Sequence, residues 1–125
     1  MKVSQIGEFG LIRKLAQQTN AAVNQNSAAS RQLVTGIGDD AAVWQPEIPY
    51  QLATVDSLVE NIHFTFKTIT WEELGWKSIA VNLSDIAAMG GIPLYALISL
   101  GLPPATAVEN VTKLYDGINK ITRKF

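Results

Sequence analysis

The chain has 125 residues, 47% of them hydrophobic and 17% charged, with 10 basic side chains against 11 acidic ones; this is enough to bury one core and excludes a disordered chain and a strongly basic nucleic-acid surface. It contains no Cys and a single His, so a disulfide framework, a thiolate zinc site, a Cys nucleophile and a His-rich metal cage are excluded too. The start, Met1-Lys2-Val3-Ser4-Gln5-Ile6-Gly7-Glu8, lacks the apolar run of a signal peptide, and no segment reaches the ~20 apolar residues of a membrane span, so the expected setting is the cytoplasm.

Residues 7–19 place Phe9, Ile12 and Ala16 on one side with Leu11 and Leu15 beside them, the spacing of an amphipathic helix. The stretch 19–32, rich in Asn, Gln, Ser and Ala, predicts a surface loop. Residues 41–44 and 51–56, separated by Pro46 and Pro49, predict the two strands of a hairpin. Residues 70–89 return to a helical pattern, with Thr70 as N-cap, Glu72 and Glu73 favourably placed in the first turn, and Gly90-Gly91 as the stop. Residues 92–102 are the most apolar run and predict a buried strand. Finally, Ala107, Val111, Leu114, Ile118 and Ile121 predict a surface helix lying on a sheet, with Glu109, Asn110, Lys113, Asp116 and Lys120 facing water. The order of elements predicts one α/β (α+β) domain over residues 1–125, a mixed sheet with helices packed on one side.

Three places carry candidate chemistry. Gly36-Ile37-Gly38-Asp39-Asp40 has two glycines for a sharp loop but lacks the third Gly of a dinucleotide fingerprint and the Lys of a P-loop. Adjacent carboxylates repel a phosphate unless a cation lies between them, so the loop suits a Mg²⁺ ligand; the plainer reading is an Asx turn. In 52–56 a strand period puts Thr54 and Asp56 on one face and Val55 on the other. Close by, Glu60 and the lone His63 follow, a residue more often structural than a ligand. The strongest signal is in 78–89, where Ser78, Asn82, Asp85 and Met89 share a helix face and Asp85 sits in the most apolar helix of the chain. Buried there, with no Lys or Arg one turn away on its face except Lys77 further back, its carboxylate would require a cation; the plainer reading is a solvated helix face. Together Asp39, Asp40, Thr54, Asp56 and Asp85 form an oxygen-only set suited to Mg²⁺, and carboxylate-bound Mg²⁺ points to phosphoryl chemistry.

These segments have a familiar order. Gly7-Glu8-Phe9 with Leu11-Ile12, Gly36-Ile37-Gly38-Asp39-Asp40-Ala41-Ala42, Asp56-Ser57-Leu58-Val59-Glu60 with His63-Phe64, and Asn82-Leu83-Ser84-Asp85-Ile86-Ala87-Ala88-Met89-Gly90 together resemble thiamine-monophosphate kinase over nearly the whole chain. The resemblance implies the N-terminal ATP-binding domain of the aminoimidazole-ribonucleotide synthase type, with ATP and thiamine monophosphate as substrates and a homodimer as the assembly. It implies Mg²⁺ on Asp40, Thr54, Asp56 and Asp85, His63 at the thiamine phosphate, and Tyr115 near the nucleotide. Val55 stands where many members have Thr, so only its backbone carbonyl would serve as a ligand. By the same resemblance residues 1–125 correspond to the N-terminal domain without the family's C-terminal domain, and this portion is expected to be inactive alone. A non-catalytic dimerisation or nucleotide-binding module, and another enzyme of the superfamily, such as one like selenophosphate synthetase or a hydrogenase maturation protein, stay open as alternatives.

Overall fold

The computed structural model describes residues 1–22, 32–38, 41–46 and 50–125. Its elements are α1 (Val3–Ala22), β1 (Leu33–Thr35), β2 (Val43–Trp44), α2 (Trp71–Ala88) and α3 (Val108–Thr122). Among the described residues, three helices and a small antiparallel sheet give an α+β architecture.

In α1, Leu11 and Leu15 are buried one turn apart, Ile12 and Ala16 flank them half-buried, and Arg13, Lys14 and Gln17 face water. Phe9 is not on the core side: it is 77% exposed. The element begins at Val3, earlier than residue 7, and is kinked at Gly7, whose φ of 66° and ψ of 179° are a combination that only Gly adopts without strain. The short turn before the break is fastened elsewhere, through Val3 N–H to Thr106 O at 2.8 Å and Ser4 N–H to Pro104 O at 3.1 Å.

The second helix starts and stops as its end residues dictate. Thr70 Oγ1 accepts from Glu73 N–H at 3.2 Å, and Glu73 Oε2 accepts from Thr70 N–H at 2.8 Å, a complete capping box. The Thr70 backbone N–H, and then its hydroxyl, hold the Glu73 carboxyl below its ordinary range. A depressed folded value means this contribution is present above the ordinary carboxylate range and is lost as pH falls through the folded value. At the other end Gly90, at φ of 69°, donates to Ala87 O at 3.0 Å, and Gly91 donates to Ile86 O at 2.9 Å. This pair of bonds is the Schellman arrangement, which satisfies the last carbonyls of α2.

The last helix is the centre of the molecule rather than a surface layer on a sheet. Val108, Val111, Leu114, Ile118 and Ile121 are buried as their spacing predicts, but Tyr115, Gly117 and Asn119 are buried as well. That widening of the apolar face lets α3 receive α2 on one side and α1 on the other. The crossing with α2 is made backbone to backbone. A Cβ added at Gly75 would lie 1.9 Å from Leu114 O, and one at Gly117 would lie 1.9 Å from Glu72 O. Glu109, Lys113, Asp116 and Lys120 remain on the wet side, while Asn110 is half-buried. Lys120 pairs there with Glu72 of α2, and the bond to Glu72 pushes the Lys120 ammonium pKa up.

The strands differ from the sequence expectation. Residues 43–44 pair with 33–35 across the glycine loop, not with 51–56; Leu33 faces Trp44 and Thr35 faces Val43, with an irregular register between them. Residues 51–56 belong to no strand and are joined to β2 by a side-chain bond from Trp44 Nε1 to Gln51 Oε1 at 3.2 Å. The apolar run 92–102 is neither a strand nor buried: Ile92 is 82% and Leu97 80% exposed. A strand needs a neighbouring edge, and among the described residues the one sheet is two short strands.

Gly75→Ala and Gly117→Ala should each destabilise the fold by about 2–3 kcal/mol in urea unfolding, the cost of forcing helices apart. Gly101→Ala, where an added Cβ meets nothing within 4 Å, should stay within about 0.5 kcal/mol of the parent.

Candidate functional site

The expected metal ligands lie on three pieces of chain, and the structure joins two of them. Thr54, in segment 51–56, donates from Oγ1 to Asp85 Oδ2 at 3.0 Å, linking positions 31 residues apart in the chain. This hydroxyl spends its proton on the carboxylate, so its lone pairs and the second Asp85 oxygen remain available to a cation. Asp56 follows on the same exposed segment. Val55 is 88% exposed, and of its groups only the backbone carbonyl is a donor to a metal.

Asp85 is not buried, contrary to the argument from the apolar helix: it lies on the exposed side of α2. The core side of α2 is Leu74, Gly75 and Ile79, and six residues beyond Ile79 the helix has turned about 120° away. The carboxylate therefore needs no buried counter-ion, and its described partner is the Thr54 hydroxyl. Its row companions look inward along their own helix. Ser78 Oγ donates to Gly75 O at 2.8 Å and Asn82 Nδ2 donates to Ser78 O at 2.9 Å. Met89 is 72% exposed.

His63 stands on a closed turn. Its N–H donates to Val59 O at 2.8 Å, while its ring Nδ1 accepts from Val59 N–H at 3.0 Å. Asn61 takes φ of 64° inside the turn and donates from its N–H to Phe64 O at 2.7 Å; Asn is among the few non-Gly residues that tolerate this conformation. Glu60 makes an isolated bridge to Phe64. Behind the turn, Phe64 meets Phe66 edge-on and Phe66 stacks on Trp71, with centroids 5.2 and 4.3 Å apart, so the aromatic side anchors the turn to the start of α2. From farther along that helix Lys77 Nζ donates to His63 O at 2.9 Å. No periodicity announced that bond; the left-handed Asn61 was readable in principle as an Asn between two strand-like residues.

Tyr115 lies apart from these groups, its ring in the core at 6% exposure, where burial pushes its phenol pKa up. Asp39 and Asp40 lie outside the described residues. Among the described residues no three His, Cys, Asp or Glu side chains converge as a metal cluster would. An apolar cleft of about 380 Å³, walled by Trp76, Ala80, Leu83, Pro93 and Phe125 with only Ser84 and Lys124 as polar neighbours, has little to offer a phosphate. No described helix is long and apolar enough to cross a membrane.

The arrangement on the page is an exposed hydroxyl–carboxylate pair, Thr54 with Asp85, and a closed turn that carries His63. The sequence profile of the family described as AIR synthase related protein, N-terminal domain, matches residues 38–125. A thiamine-monophosphate kinase from Bacillus subtilis is 36% identical over 119 residues, covering 94% of this chain and 34% of its own length. One from Aquifex aeolicus is 38% identical over 120 residues, covering 96% and 35%, and one from Haemophilus influenzae is 43% identical over 99 residues, covering 78% and 28%. The chain thus spans about a third of the length of the curated relatives it matches. No solved structure matches it.

Proposed function

Because the chain belongs to the AIR synthase related family through its N-terminal domain, we propose that it supplies the cation- and acceptor-binding face of a thiamine-monophosphate kinase. The reaction transfers the γ-phosphoryl group of ATP to thiamine monophosphate and gives thiamine diphosphate. The observation that carries this reading is the Thr54–Asp85 bond, which puts together two oxygen donors from distant segments beside Asp56 in a chain whose relatives bear that kinase name.

An acceptor phosphate is already ionised at neutral pH, so transfer asks for alignment and charge neutralisation rather than a general base. The donors fit a hard divalent ion: Thr54 Oγ1, the Asp56 and Asp85 carboxylates, the Val55 carbonyl, and Asp39 and Asp40. Mg²⁺ held there would neutralise the nucleotide phosphates and the developing charge between donor and acceptor. His63 contributes a donor to the acceptor phosphate. Tyr115, its ring packed in the core, offers the nucleotide its hydroxyl alone. The supply of ATP makes the cytoplasm the natural setting.

A homodimer belongs to the same reading. Residues 50–59 and 91–101 carry no helix or strand, and along them Val55, Ile92, Leu94, Leu97 and Ile98 are exposed. Apolar edges of this kind are covered by further strands in stable proteins, and a second copy presents the same two segments related by a two-fold axis.

Three outcomes test these statements. Light scattering at micromolar concentration should return twice the chain mass; a monomer would remove the dimer. Calorimetry should show Mg²⁺ binding more tightly with ADP than without it, with Asp85→Asn reducing that gain about tenfold and Asp116→Asn, on the wet face of α3, leaving it intact. Equal effects would undo the site assignment. For the reaction itself, residues 1–125 should form no thiamine diphosphate by themselves, since misplacing reacting groups by ~1 Å costs about 10²-fold. Substituted for the matching first third of the Bacillus subtilis relative, the same residues should give product in an Asp85-dependent manner. A folded but inactive chimera would sink the kinase reading.

A further inference from the structure

We propose that Lys77 is a positioning residue for His63: it ties the turn at residues 59–64 to α2, so that the ring presents Nε2–H outward as a preset donor to phosphate oxygens. The inference rests on the reading of His63 as a contact of the acceptor phosphate and adds to it a tautomer, a direction and the residue that secures both.

The tautomer follows from one bond. His63 Nδ1 accepts from Val59 N–H at 3.0 Å, and a neutral imidazole that accepts at one nitrogen carries its proton on the other. A phosphate oxygen needs a donor, which is what Nε2 then offers. The bond requires the turn to stay closed. Inside it, Ile62 and His63 N–H both reach Val59 O, at 3.2 and 2.8 Å, and Asn61 N–H reaches Phe64 O at 2.7 Å, but all these bonds are local and exposed to water. Past the turn, the Phe66–Trp71 stack anchors the chain. On the His63 residue itself the long-range tie is Lys77 Nζ on its carbonyl at 2.9 Å, reaching 14 positions along the chain from a helix whose rotation the glycine crossing fixes. Without that tie the turn pivots on its aromatic foot and the Val59–Nδ1 bond opens.

Lys77 also brings a positive charge close to any anion at His63, so a loss of phosphate affinity alone would not separate positioning from simple attraction. The single His of the sequence provides the readout that does, because a long-range ¹H–¹⁵N spectrum of the imidazole reports on His63 with no assignment ambiguity. Recorded at about pH 8.5, where an imidazole is neutral, the parent chain should show one tautomer with the proton on Nε2. Lys77→Met should show a mixture of both tautomers and raise the midpoint of an inorganic phosphate titration about fivefold or more, the scale of one lost hydrogen bond. Lys77→Arg, which keeps a long cationic donor, should restore the single tautomer and a midpoint within about twofold of the parent.

A Lys77→Met chain with unchanged helical circular dichroism and the parent's single tautomer would overturn the proposal. If Lys77→Met fails to fold, Lys77→Arg decides: a single Nε2–H tautomer upholds the proposal, and a mixture in a folded chain overturns it. A preset tautomer lost in Lys77→Met, with imidazole signals that phosphate never moves, upholds the positioning and instead removes phosphate from the reading of the site.

Discussion

The crossing of α2 and α3 through Gly75 and Gly117 sets the geometry on which the rest depends. Each glycine admits a backbone carbonyl of the other helix, Leu114 O at one and Glu72 O at the other, into the space a side chain would fill. Two such contacts, one on each helix, fix separation and rotation at once, because sliding either helix drives a peptide into a peptide. With Leu74 and Ile79 turned into the core by that rotation, Asp85 and Lys77 are placed away from the buried side, where the segments before α2 can reach them. The carboxylate that meets Thr54 and the ammonium that meets the His63 carbonyl thus take their positions from two residues that have no side chains.

Around that frame the site is assembled by point contacts rather than by a sheet. Thr54 meets Asp85, Trp44 meets Gln51, and Lys77 meets the His63 carbonyl, each through one side-chain bond. The aromatic stack of Phe66 on Trp71 joins the histidine turn to the first residue of α2. Single exposed bonds of this kind hold chain segments with a small net free energy each. The hydrogen bonds that join residues 50–59 to the rest of the molecule are thus individually weak beside the packing of α2 on α3.

What could be read from the sequence was whatever a few neighbouring residues decide. Thr70 with Glu73 began a helix and Gly90-Gly91 ended it, since capping and left-handed glycine geometry are local. The spacing of Val111, Leu114, Ile118 and Ile121 identified the buried side of α3 for the same reason. What escaped was settled by distant partners. Residues 51–56 and 92–102 have strand-like composition, but a strand exists only with an edge to pair to, and β2 found its edge at residues 33–35 instead. The exposure of Asp85 depends on which side of α2 the glycine crossing consumes. Tyr115 entered the core because α3 is packed on two sides, where periodicity alone foresaw one.

The central place of α3 has a bearing on synthesis. A chain made from its amino end exposes α1 first, yet Leu11 and Leu15 acquire their packing partners only from a helix about a hundred positions later. The carbonyl of Met1 likewise waits for Val108 N–H, which it accepts at 2.9 Å. Until residues 108–121 have left the ribosome, neither α1 nor α2 has the surface that buries its apolar side, so nearly the whole domain emerges before its core closes. Closure of so long a loop makes the final docking step the slow one. An interruption of translation between α2 and α3 would leave two helices without the partner that buries them, a nascent species for a chaperone or a protease rather than a smaller working fold.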